Sequence, residues 1–151
     1  MSMPALTFVV VTLLASTVAR ASDGATLFAK YCAMCHQTGA SGLPGQFPRL
    51  AGRVGRISRD LAGRNYLIDV VSYGMAGQIT VDNDSIFGVM PPLQLSDDDA
   101  AGVLSYVASI GATTRAKITA AEVAAARARP PRNSAEVRAE RQALQDAGIL
   151  D

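Results

Sequence analysis

The sequence predicts an all-α fold of three main helices joined by long irregular loops, followed by an extra C-terminal helical tail. Three observations carry this expectation. Apolar residues recur at helical spacing in three separate stretches. The segments between them are rich in Gly and Pro and lack a helical period. From about Thr113 the composition turns to Ala, Arg and Glu. A length of 151 residues suits one domain. The expected organisation is a signal peptide over 1–21, a main domain over 22–112 and a helical extension over 113–151.

Taken in order, the first stretch has an apolar run from about Ala5 to Ala15, then small residues ending in Ala19-Arg20-Ala21. This reads as a signal peptide cleaved after Ala21, which places the mature protein in the periplasm. The run is shorter than the roughly 20 apolar residues of a membrane span. An uncleaved N-terminal anchor is the alternative, because no Lys or Arg precedes the run, and only then would the protein meet a membrane.

A short helix follows, with Ser22 or Asp23 as N-cap and Leu27, Phe28 and Tyr31 on one face. Residues 37–55 carry Gly39, Gly42, Gly45, Pro44 and Pro48 and read as loop. Tyr66, Leu67, Val70 and Val71 mark the second helix, stopped at Gly74. The segment MAGQITVDNDSIFGVMPPLQ has no helical period and reads as a second loop. The third helix is the clearest. Ser96 is its N-cap, three Asp occupy the first turn, Val103, Leu104, Val107 and Ile110 form a stripe, and Gly111 is the stop.

In the tail, Thr119 to Glu122 and Asn133 to Glu136 are capping-box patterns separated by Pro130-Pro131. They predict two short helices with a weak stripe of Val123, Val137, Leu144 and Ile149. Two arrangements are open: a solvated or partly disordered tail, or an arm docked on this domain or on a partner.

The formal net charge of +1 excludes a general nucleic-acid binder, which needs an excess of Lys and Arg to neutralise phosphates. The charges are nevertheless uneven. Arg49, Arg53, Arg56, Arg59 and Arg64 are opposed in their window only by Asp60, and a run of Asp follows. Such a cluster has three readings: a solvated face, contacts to an anionic cofactor, or a docking face for an acidic partner.

The chemistry concentrates in CAMCH, where Cys32, Cys35 and His36 are the only cysteines and the only histidine of the chain. Positions i, i+3 and i+4 lie on one side of a single helical turn. A redox pair of the thioredoxin kind needs a βαβ setting that is not seen, and a closed zinc site lacks a fourth soft ligand. A disulfide between i and i+3 is geometrically poor. The remaining reading is covalent haem attachment, with two thiols on the haem and the adjacent His on the iron.

On these residues the segment 22–112 resembles the small monohaem class I c-type cytochromes, and YGMAGQITVDNDSIFGVMPP is similar to cytochrome subunits and partners of periplasmic dehydrogenases. The resemblance implies a cytochrome c-like all-α fold around one covalently bound haem c. It implies Cys32 and Cys35 as thioether cysteines and His36 as proximal ligand. Pro48 would accept the other N–H of that histidine, and Leu50 would be an apolar haem contact. The distal ligand would be a methionine. Met90, before Pro91 and Pro92, matches the family's ligand loop, with Met75 next in order. Met1 and Met3 fall in the leader and Met34 within the attachment turn. Tyr106 would cross the first helix near Gly24 and Phe28. Arg53 is assigned to a haem propionate.

A closed His/Met site with no second His for acid–base work is that of an electron carrier, not an enzyme. Its expected partners are redox proteins, a periplasmic dehydrogenase as donor and an oxidase or another cytochrome as acceptor. The alternatives are a haem subunit of a multi-subunit oxidoreductase and a haem-based redox or gas sensor.

Overall fold

The protein is represented by a computed structural model that describes residues 23–113 and 116–150. The signal peptide expected over 1–21 therefore lies outside the described residues, as does Ser22.

Among the described residues the chain forms α1 (Gly24–Tyr31), α2 (Ala33–His36), α3 (Arg53–Ile57), α4 (Leu61–Tyr73), β1 (Met75–Val81), β2 (Asp84–Met90), α5 (Asp97–Ser109), α6 (Ala120–Arg127) and α7 (Ser134–Asp146). The three main helices expected before the tail are α1, α4 and α5. Each starts or stops as its local chemistry dictates. The Asp60 carboxylate accepts from the Ala62 N–H at 2.7 Å at the start of α4, and the Ser96 hydroxyl accepts from the Asp99 N–H at 3.1 Å at the start of α5. α4 gives way at Gly74, which takes φ 71°.

The all-α expectation needs correction. The second presumed loop is an antiparallel hairpin in which Met75 pairs with Met90, Ile79 with Ile86 and Val81 with Asp84. Its turn is Asp82-Asn83, both with positive φ (53° and 68°), the two-residue geometry that matches the twist of a hairpin. A further short helix, α3, forms at the end of the first loop. Tyr31 is also corrected, since it is 41 % exposed while Leu27 and Phe28 are buried.

The helices meet around one apolar cluster that includes Phe28, Ile57, Ile68, Val103 and Val107. α1 crosses α5 so closely that a Cβ on Gly24 would lie 2.4 Å from the Gly102 carbonyl oxygen. The rings of Phe28 and Tyr106 stand 5.7 Å apart at that crossing.

The tail docks on this domain. Both capping boxes form. α6 packs on α4 and α5, and α7 on α4 and β1. Val123, Val137, Leu144 and Leu150 are buried in the same cluster as the main helices, whereas Ile149 is only partly covered. The junction is electrostatic as well as apolar. Asp69 of α4, 1 % exposed, accepts from Arg129 at 2.7 Å and from Arg132 at 3.1 Å, and Arg132 also pairs with Glu140. Arg127 joins Asp97 at the start of α5 at 2.6 Å. The two arginines on Asp69 are each about a third exposed, so loss of the carboxylate leaves them partly hydrated.

Asp69→Ala is accordingly expected to cost about 2 kcal/mol of folding stability, the scale of charge-assisted hydrogen bonds lost from one side. Urea unfolding checks the total. Amide hydrogen exchange should accelerate in α6 and α7 more than in α1 or α5, and a uniform change would contradict the docking role.

Candidate cofactor-binding site

The cysteines sit where the chain changes direction. Cys32 ends α1 and starts α2 with φ −117° and ψ −39°, and one further turn carries Cys35 and His36. The His36 N–H donates to the Cys32 carbonyl at 2.9 Å, which keeps the three side chains on one turn. Gln37, at φ 62°, then breaks the helix.

The Gly/Pro loop folds back on this turn. The Gly42 N–H donates to the His36 carbonyl at 2.9 Å, and the N–H groups of Leu50 and Ala51 both donate to the carbonyl of fully buried Ala40. The loop thereby delivers the Pro48 carbonyl to His36 Nδ1 at 2.9 Å. A carbonyl only accepts, so Nδ1 carries the proton and Nε2 of the neutral ring keeps its lone pair. Burial lowers the His36 pKa below its ordinary value, opposed by the bond to Pro48, so the ring is neutral at neutral pH. Gly42 is a site residue that sequence reasoning treated only as punctuation. It holds φ 68°, and a Cβ there would lie 2.5 Å from the Phe47 carbonyl oxygen and 2.7 Å from the Pro48 carbonyl carbon.

Cys32, His36, Pro48 and Leu50 form one wall of a cavity of about 840 Å³, counted out through its open mouth. α3 adds Arg53, Val54 and Ile57, α4 adds Tyr66 and Val70, and α5 adds Leu104 and Val107. The hairpin adds Met75, Ile79, Val81 and Met90, and α7 adds Arg141. The volume and apolar lining are those of a cofactor pocket with few polar groups. Six of the residues singled out in the sequence, Cys32, His36, Met90, Pro48, Leu50 and Arg53, thus border one space. Cys35 rides on the same turn, half-buried, and is not among the lining residues.

The Cys32 thiol is pushed up to about 11, by burial first and by Cys35 second. It stays protonated at neutral pH, the reverse of a thiol tuned for disulfide exchange. Among the described residues no three His, Cys, Asp or Glu side chains come together to hold a metal ion.

Met75 and Met90 are cross-strand partners and both border the cavity. The Tyr66 hydroxyl donates to Met75 Sδ at 3.7 Å. Met90, held at the strand end by Pro91 and Pro92, has no such partner among the described residues.

The arginine cluster divides. Arg49 grips Asp82 with two bonds of 2.7 and 2.8 Å and donates to the Ala51 carbonyl. That grip holds the Asp82 carboxyl below the usual range. Arg53, 7 % exposed, donates to the Leu150 carbonyl at 3.0 Å and to Asp82 at 3.4 Å. Arg64 bonds Glu122 and the Ser58 carbonyl, which leaves Arg56 and Arg59 as the exposed members. Arg141 and Tyr66 were not singled out as site residues. The available signal for Arg141 was its place between Val137 and Leu144, on the apolar face of α7.

A family model described as Cytochrome C oxidase, cbb3-type, subunit III matches residues 19–107. Cytochrome c-552 of Thermus thermophilus is 46 % identical over 89 residues, covering 58 % of this chain and 67 % of that protein. A second cytochrome c-552, from another strain of Thermus thermophilus, matches at the same 46 % identity, and the match covers 60 % of its length. The fructose dehydrogenase cytochrome subunit of Gluconobacter japonicus is 34 % identical over 119 residues, 75 % of this chain but 24 % of that protein.

The loop geometry predicts that Gly42→Ala displaces the Pro48 carbonyl and costs about 1–3 kcal/mol through strain at a close contact. In the NMR spectrum the slowly exchanging His36 ring N–H should be lost from the folded protein. Its persistence would show that the Pro48 bond does not depend on Gly42.

Proposed function

The chain belongs to the c-type cytochromes, related to the cytochrome subunits of dehydrogenases, and from that premise we propose that it is an electron carrier whose covalently bound haem c lies in the cavity with His36 and Met90 as iron ligands. When bound, the haem supplies an iron that takes up and returns one electron between its ferric and ferrous states. The observation that carries the reading is the His36–Pro48 bond, which leaves a neutral imidazole with a bare Nε2 at the wall of an apolar cavity.

The surrounding residues suit this task. Cys32 and Cys35 supply the thiols for attachment on the turn that holds His36. Pro48 fixes the ring and raises its basicity as a ligand. Leu50 and the apolar side chains of α4 and α5 exclude water and favour the less charged ferrous state. Met90 offers a soft thioether with the same bias. It is favoured over Met75 because the Met75 sulfur already takes the Tyr66 hydroxyl and because Pro91 and Pro92 limit the motion of Met90. Arg53 is the proposed propionate contact. Residues 22–112 form the cytochrome domain and 113–151 its extension.

Export by residues 1–21 would place the protein in the periplasm. The likeness to a dehydrogenase cytochrome subunit supports a periplasmic dehydrogenase as donor, with an oxidase or another cytochrome as acceptor. The same likeness favours a second reading, in which the protein is the haem subunit of a larger oxidoreductase. A carrier elutes alone at the size of the mature chain, whereas a subunit copurifies with its dehydrogenase.

Absorption spectra test the site. The exported protein should give a pyridine haemochrome and, when oxidised, the weak red band of Met-ligated ferric haem. Met90→Ala should abolish that band, lower the midpoint potential and let carbon monoxide bind the reduced form rapidly; Met75→Leu should do none of these. Rapid carbon monoxide binding by the unaltered protein would contradict a closed His/Met carrier.

A further inference from the structure

The wall contributed by α7 contains a cation whose hydrogen bonding is incomplete. Arg141 is 5 % exposed, yet it grows from a helix that otherwise presents Val137 and Leu144 to the core. Its Nη1 donates to the Tyr66 hydroxyl at 3.2 Å and its Nη2 to the Thr80 carbonyl at 2.9 Å, both uncharged acceptors. Its Nε is buried and has no partner. A buried guanidinium without a counter-charge is a costly arrangement, since desolvation is offset only by an anion or a full set of acceptors.

A second cation faces the same space. Arg53 reaches the cavity from α3, and its guanidinium is held below its ordinary pKa chiefly by burial. Asp82 opposes that shift, while the positive charges of Arg141, Arg56 and Arg49 add to it. Asp82 is shared with Arg49 and lies on the exposed turn of the hairpin. The chain thus directs more positive than negative charge at an apolar cavity, and the missing partner is an anion.

Arg141 also stands at a boundary. On its other side is a polar cleft lined by Gln78, Thr80, Arg138 and Gln142. α7 is seated there by contact with β1, where a Cβ on Gly77 would lie 2.8 Å from Arg138 Cδ. An anionic group at this boundary would have polar neighbours on one side while its apolar body stayed in the cavity.

We propose that Arg141, together with Arg53, binds the carboxylate groups of the haem, so that the C-terminal extension is part of the cofactor site. The assignment rests on the haem-carrying reading above. It reaches beyond the residues matched by the family model, which end at 107. Arg141 is a binding residue here, and Tyr66 positions it.

Two measurements on the haem-loaded protein test this. Reduction lowers the charge of the iron by one, so a nearby cation favours the ferrous form. Arg141→Gln should therefore lower the midpoint potential, Arg141→Lys should fall between the two, and Arg59→Gln, which removes an exposed charge, should leave the potential unchanged. In the wild type, the ¹⁵N signal of Arg141 Nε–H, assigned by its loss in Arg141→Lys, should exchange slowly with solvent. An unchanged potential in Arg141→Gln with the His/Met spectrum intact, or a rapidly exchanging Nε–H in the wild type, would overturn the assignment. Should Arg141→Gln not fold, the wild-type Nε–H decides. Absence of haem from the wild type would instead overturn the carrier reading itself.

Discussion

One hydrogen bond, from His36 Nδ1 to the Pro48 carbonyl, governs the arrangement of the cytochrome domain. To make it, the chain between the two must reverse within twelve residues, and it does so with positive φ at Gln37, Ala40, Gly42 and Gly45. Left-handed backbone at Gln37 and Ala40 costs energy that the buried packing of Ala40 and its doubly accepting carbonyl offset. The return then directs Leu50 to the cavity and starts α3 with Arg53, so both enter as a consequence of the same reversal. A single ring orientation thereby links the attachment turn to the next two elements.

Much of this was legible from the residues because the helices announce their own ends. Ser96 with three Asp, Thr119 with Glu122 and Asn133 with Glu136 each form the cap their spacing requires. The convergence of Cys32, His36, Pro48 and Met90 on one cavity also follows the sequence pattern, for attachment chemistry needs fixed residue types at fixed spacing. The hairpin was less legible. Gly77 and Gly88 interrupt the alternation of its strands, and Asp82-Asn83 lacks the Gly that most strongly marks such a turn. Its inward row, Ile79, Val81, Ile86 and Met90, emerges only when the register is known. The role of Arg141 was hidden for a different reason. Arg in an Ala/Arg/Glu-rich segment reads as solvated surface, and only tertiary contact with Tyr66 and Thr80 shows that it is enclosed.

The tail illustrates how a polar composition can still produce a docked element. Its apolar contribution is small, a few Val and Leu side chains, but each is fully or nearly fully buried. Around them Arg127, Arg129 and Arg132 find carboxylates that α4 and α5 already offer. Asp69 is the strongest of these fixed points, since a carboxylate in the interior of a helix and out of water must be answered by cations. Surface complementarity on this scale fixes where the tail sits, while the apolar contacts supply most of the favourable free energy.

The sequence distances spanned by these contacts suggest the order in which the molecule assembles. The bond between His36 and Pro48 closes a loop of 12 residues, that between Arg141 and Tyr66 spans 75, and that between Arg53 and the Leu150 carbonyl spans 97. By loop-closure entropy the longest of these is about 2 kcal/mol harder to close than the shortest. The attachment turn and its loop can therefore organise early, while the contacts that shut the cavity come last, when most of the core is in place. A large rigid group would meet a prepared histidine before the chain closes around it, and its release would require the slowest-forming contacts to open first.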